Sequence, residues 1–161
     1  MLPTRFGKLA GVLLLSLLGV GVAQAETLSC PDLGTAVQVN ICPSEDELQY
    51  TFKGYCADNA RMYDKGDQVC TDYALYRLLK NVSLWETNDG RFDGYVSCET
   101  GPVPLAQGRA VKLAVSQQGS VTRVACSYDV GVTFTHRTKA KCTAVVTNCS
   151  SASGTCKAEC E

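Results

Sequence analysis

The stretch VSLWETNDGRFDGYVSCE, residues 82–99, decides how the chain is read. Residues 82–87 and 91–98 alternate in character, and Asn88-Asp89-Gly90 separates the two runs. Alternation with a period of two marks a half-buried strand, and a glycine at the end of a three-residue loop takes positive φ without steric cost. The stretch therefore reads as a β-hairpin. A three-residue loop sets Thr87 opposite Arg91, Glu86 opposite Phe92, Leu84 opposite Gly94 and Val82 opposite Val96. A two-residue loop would set Glu86 opposite Asp93, two like charges, which is unfavourable. In the first register Val82, Leu84, Phe92, Val96 and Cys98 share one face; Trp85, Tyr95, Arg91 and Asp93 share the other. Trp85 and Tyr95 are then a candidate stacking platform for a sugar ring or a partner's side chain, although packing in a β-sandwich would use the same residues.

Phe92-Asp93-Gly94-Tyr95 echoes Phe52-Lys53-Gly54-Tyr55, and each copy is followed by a cysteine, Cys98 and Cys56 respectively. Such an echo admits a duplicated hairpin; a strand with a glycine bulge explains it equally.

Ahead of this lies a leader, residues 1–25. Arg5 and Lys8 form a positive start, Leu9–Val22 an apolar core, and Ala23-Gln24-Ala25 an A-x-A cleavage site. That pattern is a secretory signal peptide, and its apolar run is shorter than the ~20 residues of a spanning helix. Glu26 is the expected mature N-terminus, and the mature chain is expected to be exported, to the periplasm or the extracellular space. From Glu26 to Glu99 there are 13 acidic and 6 basic residues; from Thr100 to Glu161 there are 3 acidic and 7 basic. The two halves should present different surfaces.

All ten cysteines follow the leader: Cys30, Cys42, Cys56, Cys70, Cys98, Cys126, Cys142, Cys149, Cys156 and Cys160. An even number in a short exported chain reads as a disulfide framework. No C-x-x-C occurs and His136 is the only histidine, so neither a zinc site nor a thioredoxin-like motif is indicated. The expected pairing is local: Cys30–Cys42, Cys56–Cys70, Cys98–Cys126, and two bridges among Cys142, Cys149, Cys156 and Cys160.

The rest of the chain reads mainly as short strands. Val37, Val39 and Ile41 alternate with polar neighbours. Ser44 and Glu47 fit a helix capping box, but Leu48, Tyr50 and Phe52 alternate after them, and period two favours a strand. Residues 58–67 read as a polar turn lacking the carboxylate spacing of a calcium loop. Residues 69–80 fit a strand or a short helix, with strand favoured. Val111, Leu113 and Val115 pair with Cys126, Val124 and Thr122 across a loop at 117–120, and Tyr128, Val130, Val132 and Phe134 extend the pattern. The sequence thus predicts an all-β fold, a sandwich or open barrel of about eight short antiparallel strands over residues 26–141. Residues 142–161 form a cysteine- and serine-rich tail ordered by its bridges.

Few residues suggest catalysis. His136 ends a strand and is expected to be a hydrogen-bonded rim residue, and no G-x-S-x-G elbow or phosphate-binding glycine loop is present. Acid pairs could come from Glu45, Asp46 and Glu47 or from Asp89, Asp93 and Glu99. Lys112 and Arg123 project opposite the apolar face, and Arg137, Lys139 and Lys141 join them if the 128–134 strand continues unbroken. These five cations are a candidate site for an anionic polymer. The expectation is a non-enzymatic extracytoplasmic binding module without cofactor, whose partner is an anionic envelope or extracellular polymer or another secreted protein. Nucleic acid is not expected. An exported hydrolase inhibitor presenting Pro43–Glu47 or the Cys149–Cys160 tail is the alternative, and a small secreted hydrolase using His136 the third.

Overall fold

A computed structural model describes residues 25–63, 68–149 and 155–161. The signal-peptide assignment for residues 1–25 falls outside this set but for Ala25, as do residues 64–67 of the turn expected at 58–67 and the serine tract at 150–154; within that expected turn Asn59–Tyr63 is instead a short helix. Among the described residues the chain forms β1 (Glu26–Ser29), β2 (Val37–Gln38), α1 (Glu45–Tyr55), α2 (Asn59–Tyr63), α3 (Tyr73–Lys80), β3 (Val82–Glu86), β4 (Asp93–Ser97), α4 (Pro102–Ala106), β5 (Ala110–Gln118), β6 (Val121–Tyr128), β7 (Thr133–Thr138), β8 (Cys142–Val146) and β9 (Lys157–Cys160). The strands make two antiparallel sheets, one ordered β2-β3-β4-β7-β6-β5 and one ordered β1-β9-β8.

The fold is a disulfide-stapled, sandwich-like all-β fold. The alternation along β6 and β7 turns Val124, Cys126 and Phe134 inward, all with no exposed surface. From the smaller sheet Leu28, Ala158 and Cys160 join the same buried cluster, which Leu113 and Val96 complete from the larger sheet. Burying each large aliphatic or aromatic side chain contributes roughly 1.5–3 kcal/mol. Residues 142–146 and 157–160 form two strands of the smaller sheet, with β9 at its centre.

The central hairpin exists, with a register one residue from the expected one. Val82 lies opposite Ser97, Ser83 opposite Val96, Leu84 opposite Tyr95, and Glu86 opposite Asp93. The turn begins at Thr87: the Gly90 N–H donates to its carbonyl at 2.8 Å and Gly90 has φ 66°. The Thr87 hydroxyl donates to Asp89 Oδ1 at 2.6 Å and accepts from the Phe92 N–H at 3.1 Å, leaving Arg91 as an extra loop residue. Glu86 and Asp93 do face each other, but Arg137 on β7 donates to both Asp93 oxygens at 2.9 and 3.1 Å. The compensating charge lies outside the hairpin. Since a one-residue slip exchanges the faces, Ser83, Thr87, Phe92 and Val96 are the buried set.

In β5–β6 the register slips by two, Leu113 facing Cys126 and Val115 facing Val124 across a two-residue turn. An even slip keeps the apolar face. The strand expected to run on past Tyr128 is instead broken by a turn: the Tyr128 N–H donates to the Val132 carbonyl at 2.9 Å and Gly131 has φ 78°.

Residues 45–55 and 73–80 are helices, not strands. Period two at 48–52 was coincidental with a helical face: Leu48 and Phe52 point inward while Tyr50 is 79% exposed. The Ser44–Glu47 capping box forms in full, and Asp72 caps α3. Phe52-Lys53-Gly54-Tyr55 is consequently helical and Phe92-Asp93-Gly94-Tyr95 extended, which excludes a duplicated hairpin.

The bridges are Cys30–Cys126, Cys42–Cys98, Cys56–Cys70, Cys142–Cys160 and Cys149–Cys156. The Cys56–Cys70 pairing and the two tail bridges agree with expectation. Cys30–Cys42 and Cys98–Cys126 do not form, because the sandwich brings Cys30 across to the centre of β6 and the segment before α1 to the end of β4.

The two echoed glycines should respond oppositely to alanine. A Cβ on Gly94 would meet the Thr133 carbonyl at 2.7 Å and the Phe134 ring at 2.9 Å, whereas one on Gly54 meets nothing within 4 Å. Gly94→Ala should destabilise by about 1–3 kcal/mol through overpacking, and Gly54→Ala should stabilise by about 0.5–1 kcal/mol. Urea unfolding of the two variants checks this, and shifts of the same sign would contradict it.

Candidate binding groove

The segment between β2 and β3 builds a helix pair with a groove along it. Helix α1 starts at Ser44, whose backbone N–H donates to Glu47 Oε2 at 2.7 Å and whose hydroxyl accepts from the Glu47 N–H at 3.3 Å. The Ser44 N–H, then the Ser44 hydroxyl donating to the same oxygen at 3.0 Å, hold the Glu47 carboxyl below its ordinary value. Phe52 packs against Tyr73 and Tyr76 with ring centroids 5.3 and 5.2 Å away, and Tyr55 lies 5.5 Å from Tyr76. The Cys56–Cys70 bridge closes the segment linking α1 to α3.

A polar network holds the other side of the helix pair. The Tyr73 hydroxyl donates to Glu45 Oε1 at 2.5 Å, and Arg77 donates to Glu45 at 3.1 Å and to Glu99 at 2.6 Å. Arg77 thereby ties both helices to the chain just beyond β4, where Cys42–Cys98 makes a second tie. The hydrogen bond from Tyr73, then that from Arg77, lowers the Glu45 pKa. Desolvation, then the bond to Glu45, pushes Tyr73 up to about 12.

Between α1 and α3 lies a groove of about 890 Å³, lined by Leu48, Tyr50, Gly54, Tyr55 and Tyr76 among others, with Lys53 and Lys80 also on its wall. Arg61 and Lys80 approach the Tyr55 ring at 4.2 and 5.3 Å, a cation–π arrangement that leaves the aromatic surface beside positive charge. Tyr50 and Leu78 stand 79% and 70% exposed on this helix pair. Large apolar side chains exposed on a rigid frame suit contact with a partner.

The sites expected from sequence are differently placed. Trp85 turns toward the core and donates from Nε1 to Ser83 Oγ at 3.0 Å, whereas Tyr95 points to the opposite face and is exposed. They form no common platform. Of the five cations, Arg123 and Arg137 are direct cross-strand neighbours, but Arg137 is paired with Asp93. Lys112 lies opposite Ser127, four residues along β5 from the partner of Arg123. Lys139 and Lys141 follow the end of β7, where the parity that would align them stops; the Lys141 backbone pairs with Glu161. The structure brings two of the five together on one strand pair.

His136 Nδ1 donates to the Arg91 carbonyl at 2.7 Å and its ring lies 5.6 Å from Phe92. Five of the six acids considered for proton transfer have structural partners: Glu45 holds Tyr73 and Arg77, Glu47 holds Ser44, Asp89 holds Thr87 and the Arg91 N–H, Asp93 holds Arg137, and Glu99 holds Arg77. The sulfurs of Cys30, Cys149 and Cys156 come within 4.8 Å of one another, but all three are in disulfides and offer no thiolate to a metal. No protein family, curated protein or solved structure matches the chain.

Alternation along both walls favours strands, so the sequence does not predict the groove. Its signal was present in the capping box at Ser44–Glu47 followed by Leu48, Phe52 and Tyr55 at helical spacing.

The helix pair should have a defined pH window. Glu45 has a lowered folded pKa, so its contribution is present above the unfolded carboxylate value and is lost as pH falls through the folded one. Tyr73 is raised, so its contribution is present below the unfolded value of 10.0 and is lost as pH rises toward about 12. Thermal midpoints should fall at both ends, and Tyr73→Phe should flatten the alkaline fall. An unchanged alkaline limb in that variant would refute the assignment.

Proposed function

We propose that the chain is an exported, non-enzymatic binding module of the extracytoplasmic space, whether periplasmic or extracellular, and that it meets its partner through the α1–α3 groove. The observation that carries this reading is the 79% exposure of Tyr50 on the wall of a tyrosine-lined groove whose frame is fixed by Cys56–Cys70 and Cys42–Cys98. Exposed apolar groups held rigid lose little entropy when they are covered, which favours association. Five disulfides with no free cysteine among the described residues suit an oxidising, exported environment, and the leader pattern at 1–25 agrees with export.

Five of the six candidate acids and the histidine are engaged in structural hydrogen bonds, which supports binding over proton-transfer chemistry. Pro43–Glu47, considered as an inhibitor's presenting loop, runs into the capped first turn of α1. The concave groove favours receiving a partner over inserting into one.

Affinity capture tests the reading. The immobilised mature chain and a Tyr50→Ser variant are exposed to the same envelope and extracellular material, and retained protein and polysaccharide are both analysed. A species retained by the parent and lost from the folded variant is expected. Identical retention by the two would contradict a groove-mediated role.

A further inference from the structure

We infer that the α1–α3 groove binds a linear acidic polysaccharide, with a sugar ring lying over the bare helix backbone at Gly54 and its carboxylates meeting Lys53 and Lys80. This rests on the reading of the chain as a binding module and names the class of its ligand.

Gly54 is the first ground. It sits in the last turn of α1 with a negative φ, so no left-handed conformation requires glycine there. No neighbour requires it either, since an added Cβ would meet nothing within 4 Å. A glycine inside a helix costs about 1 kcal/mol relative to alanine. The absent side chain leaves the helix backbone uncovered in the groove wall, one turn from Tyr50 and next to Tyr55. Uncovered backbone beside aromatic rings suits close approach of a flat ligand.

The lining narrows the class. Tyr50 and Tyr55 supply aromatic surface and hydroxyl groups, while Leu48 and Tyr76, 3% and 2% exposed, form the floor of the groove. Tyrosine rings match the mixed surface of a sugar, an apolar face rimmed by hydroxyls. A docked amphipathic helix would instead need deep aliphatic pockets for its anchors.

Charge completes the argument. Residues 26–99 have 13 acids to 6 bases, yet both lysines of the groove lie outside every ion pair among the described residues. Glu47, the one carboxylate on the groove wall, is held by the Ser44 backbone and hydroxyl at 2.7 and 3.0 Å. The cations available to a ligand are Lys53 and Lys80. They favour uronate over a neutral sugar, with an attraction that weakens as salt rises.

Titration calorimetry of the mature chain with oligogalacturonate tests this, beside a neutral cello-oligosaccharide and polyglutamate, at low and moderate salt. Oligogalacturonate should bind, and Lys53→Gln/Lys80→Gln should weaken it by about tenfold or more, with a smaller salt dependence. Gly54→Leu should also lose about tenfold or more by filling the groove. Leucine is a better helix former than glycine, so thermal unfolding should show this variant at least as stable as the parent, which separates lost binding from lost fold. Absent binding, equal binding by Gly54→Leu, or equal binding of polyglutamate would each overturn the inference. If oligogalacturonate fails while a protein is still captured in a Tyr50-dependent manner, the ligand class falls and the binding-module reading stands; failure of both removes both.

Discussion

Cys126 lies within β6 with no exposed surface, on the inner face of the larger sheet, and its bridge to Cys30 fixes the chain just beyond β1 against that face. β1 pairs with β9, and β9 with β8. The edge strand β1 of the smaller sheet is therefore anchored covalently to β6, the strand beside the β5 edge of the larger one. The bridge spans 96 residues of sequence, and closing a loop of about 100 residues removes unfolded-state entropy worth about 4.7 kcal/mol in the chain-entropy model. Around it the contacts are specific: the Tyr128 hydroxyl donates to the Pro31 carbonyl at 2.7 Å, and the Cys30 N–H donates to the Cys156 carbonyl at 3.1 Å. Burial of Tyr128 there raises its pKa, which keeps the hydroxyl a neutral donor.

The larger sheet has its own narrow point. Its two halves, β2-β3-β4 and β7-β6-β5, meet through the single aligned pair Asp93 and Thr135. Gly94 allows the approach by leaving room for the Thr133 carbonyl and the Phe134 ring, and Arg137 neutralises Asp93 across the junction. The helix pair rests on the β3–β4 half, held by Arg77 to Glu99 and by Cys42–Cys98. The sandwich thus acts as a rigid base, and the surface assigned to binding sits on the helical insertion between β2 and β3.

How much of this could be read from the residues differs by level. The all-β class, the central hairpin and the inward face of β5 and β6 follow from alternation, because each is a local pattern. The hairpin register could not follow, since the charge that permits Glu86 opposite Asp93 is Arg137, 44 residues beyond Asp93. The long-range bridges Cys30–Cys126 and Cys42–Cys98 were hidden for the same reason, as spacing cannot report which strands become neighbours. The helices were legible but outweighed: the capping box at Ser44 and Glu47 was the better signal, and a three-member alternation at Leu48, Tyr50 and Phe52 was too short to overrule it. With the helices went the groove, since Tyr50, Gly54, Tyr55 and Tyr76 converge only when both segments are helical.

Everything above depends on how the layers are joined, and that joining is directly measurable. Peptide mapping of the mature protein under non-reducing conditions, with free thiols blocked before digestion, should recover Cys30 linked to Cys126 and Cys42 linked to Cys98, beside Cys56–Cys70. Recovery of Cys30–Cys42 together with Cys98–Cys126 would contradict the account, because neither the sandwich closure nor the seating of the helix pair could then be as described.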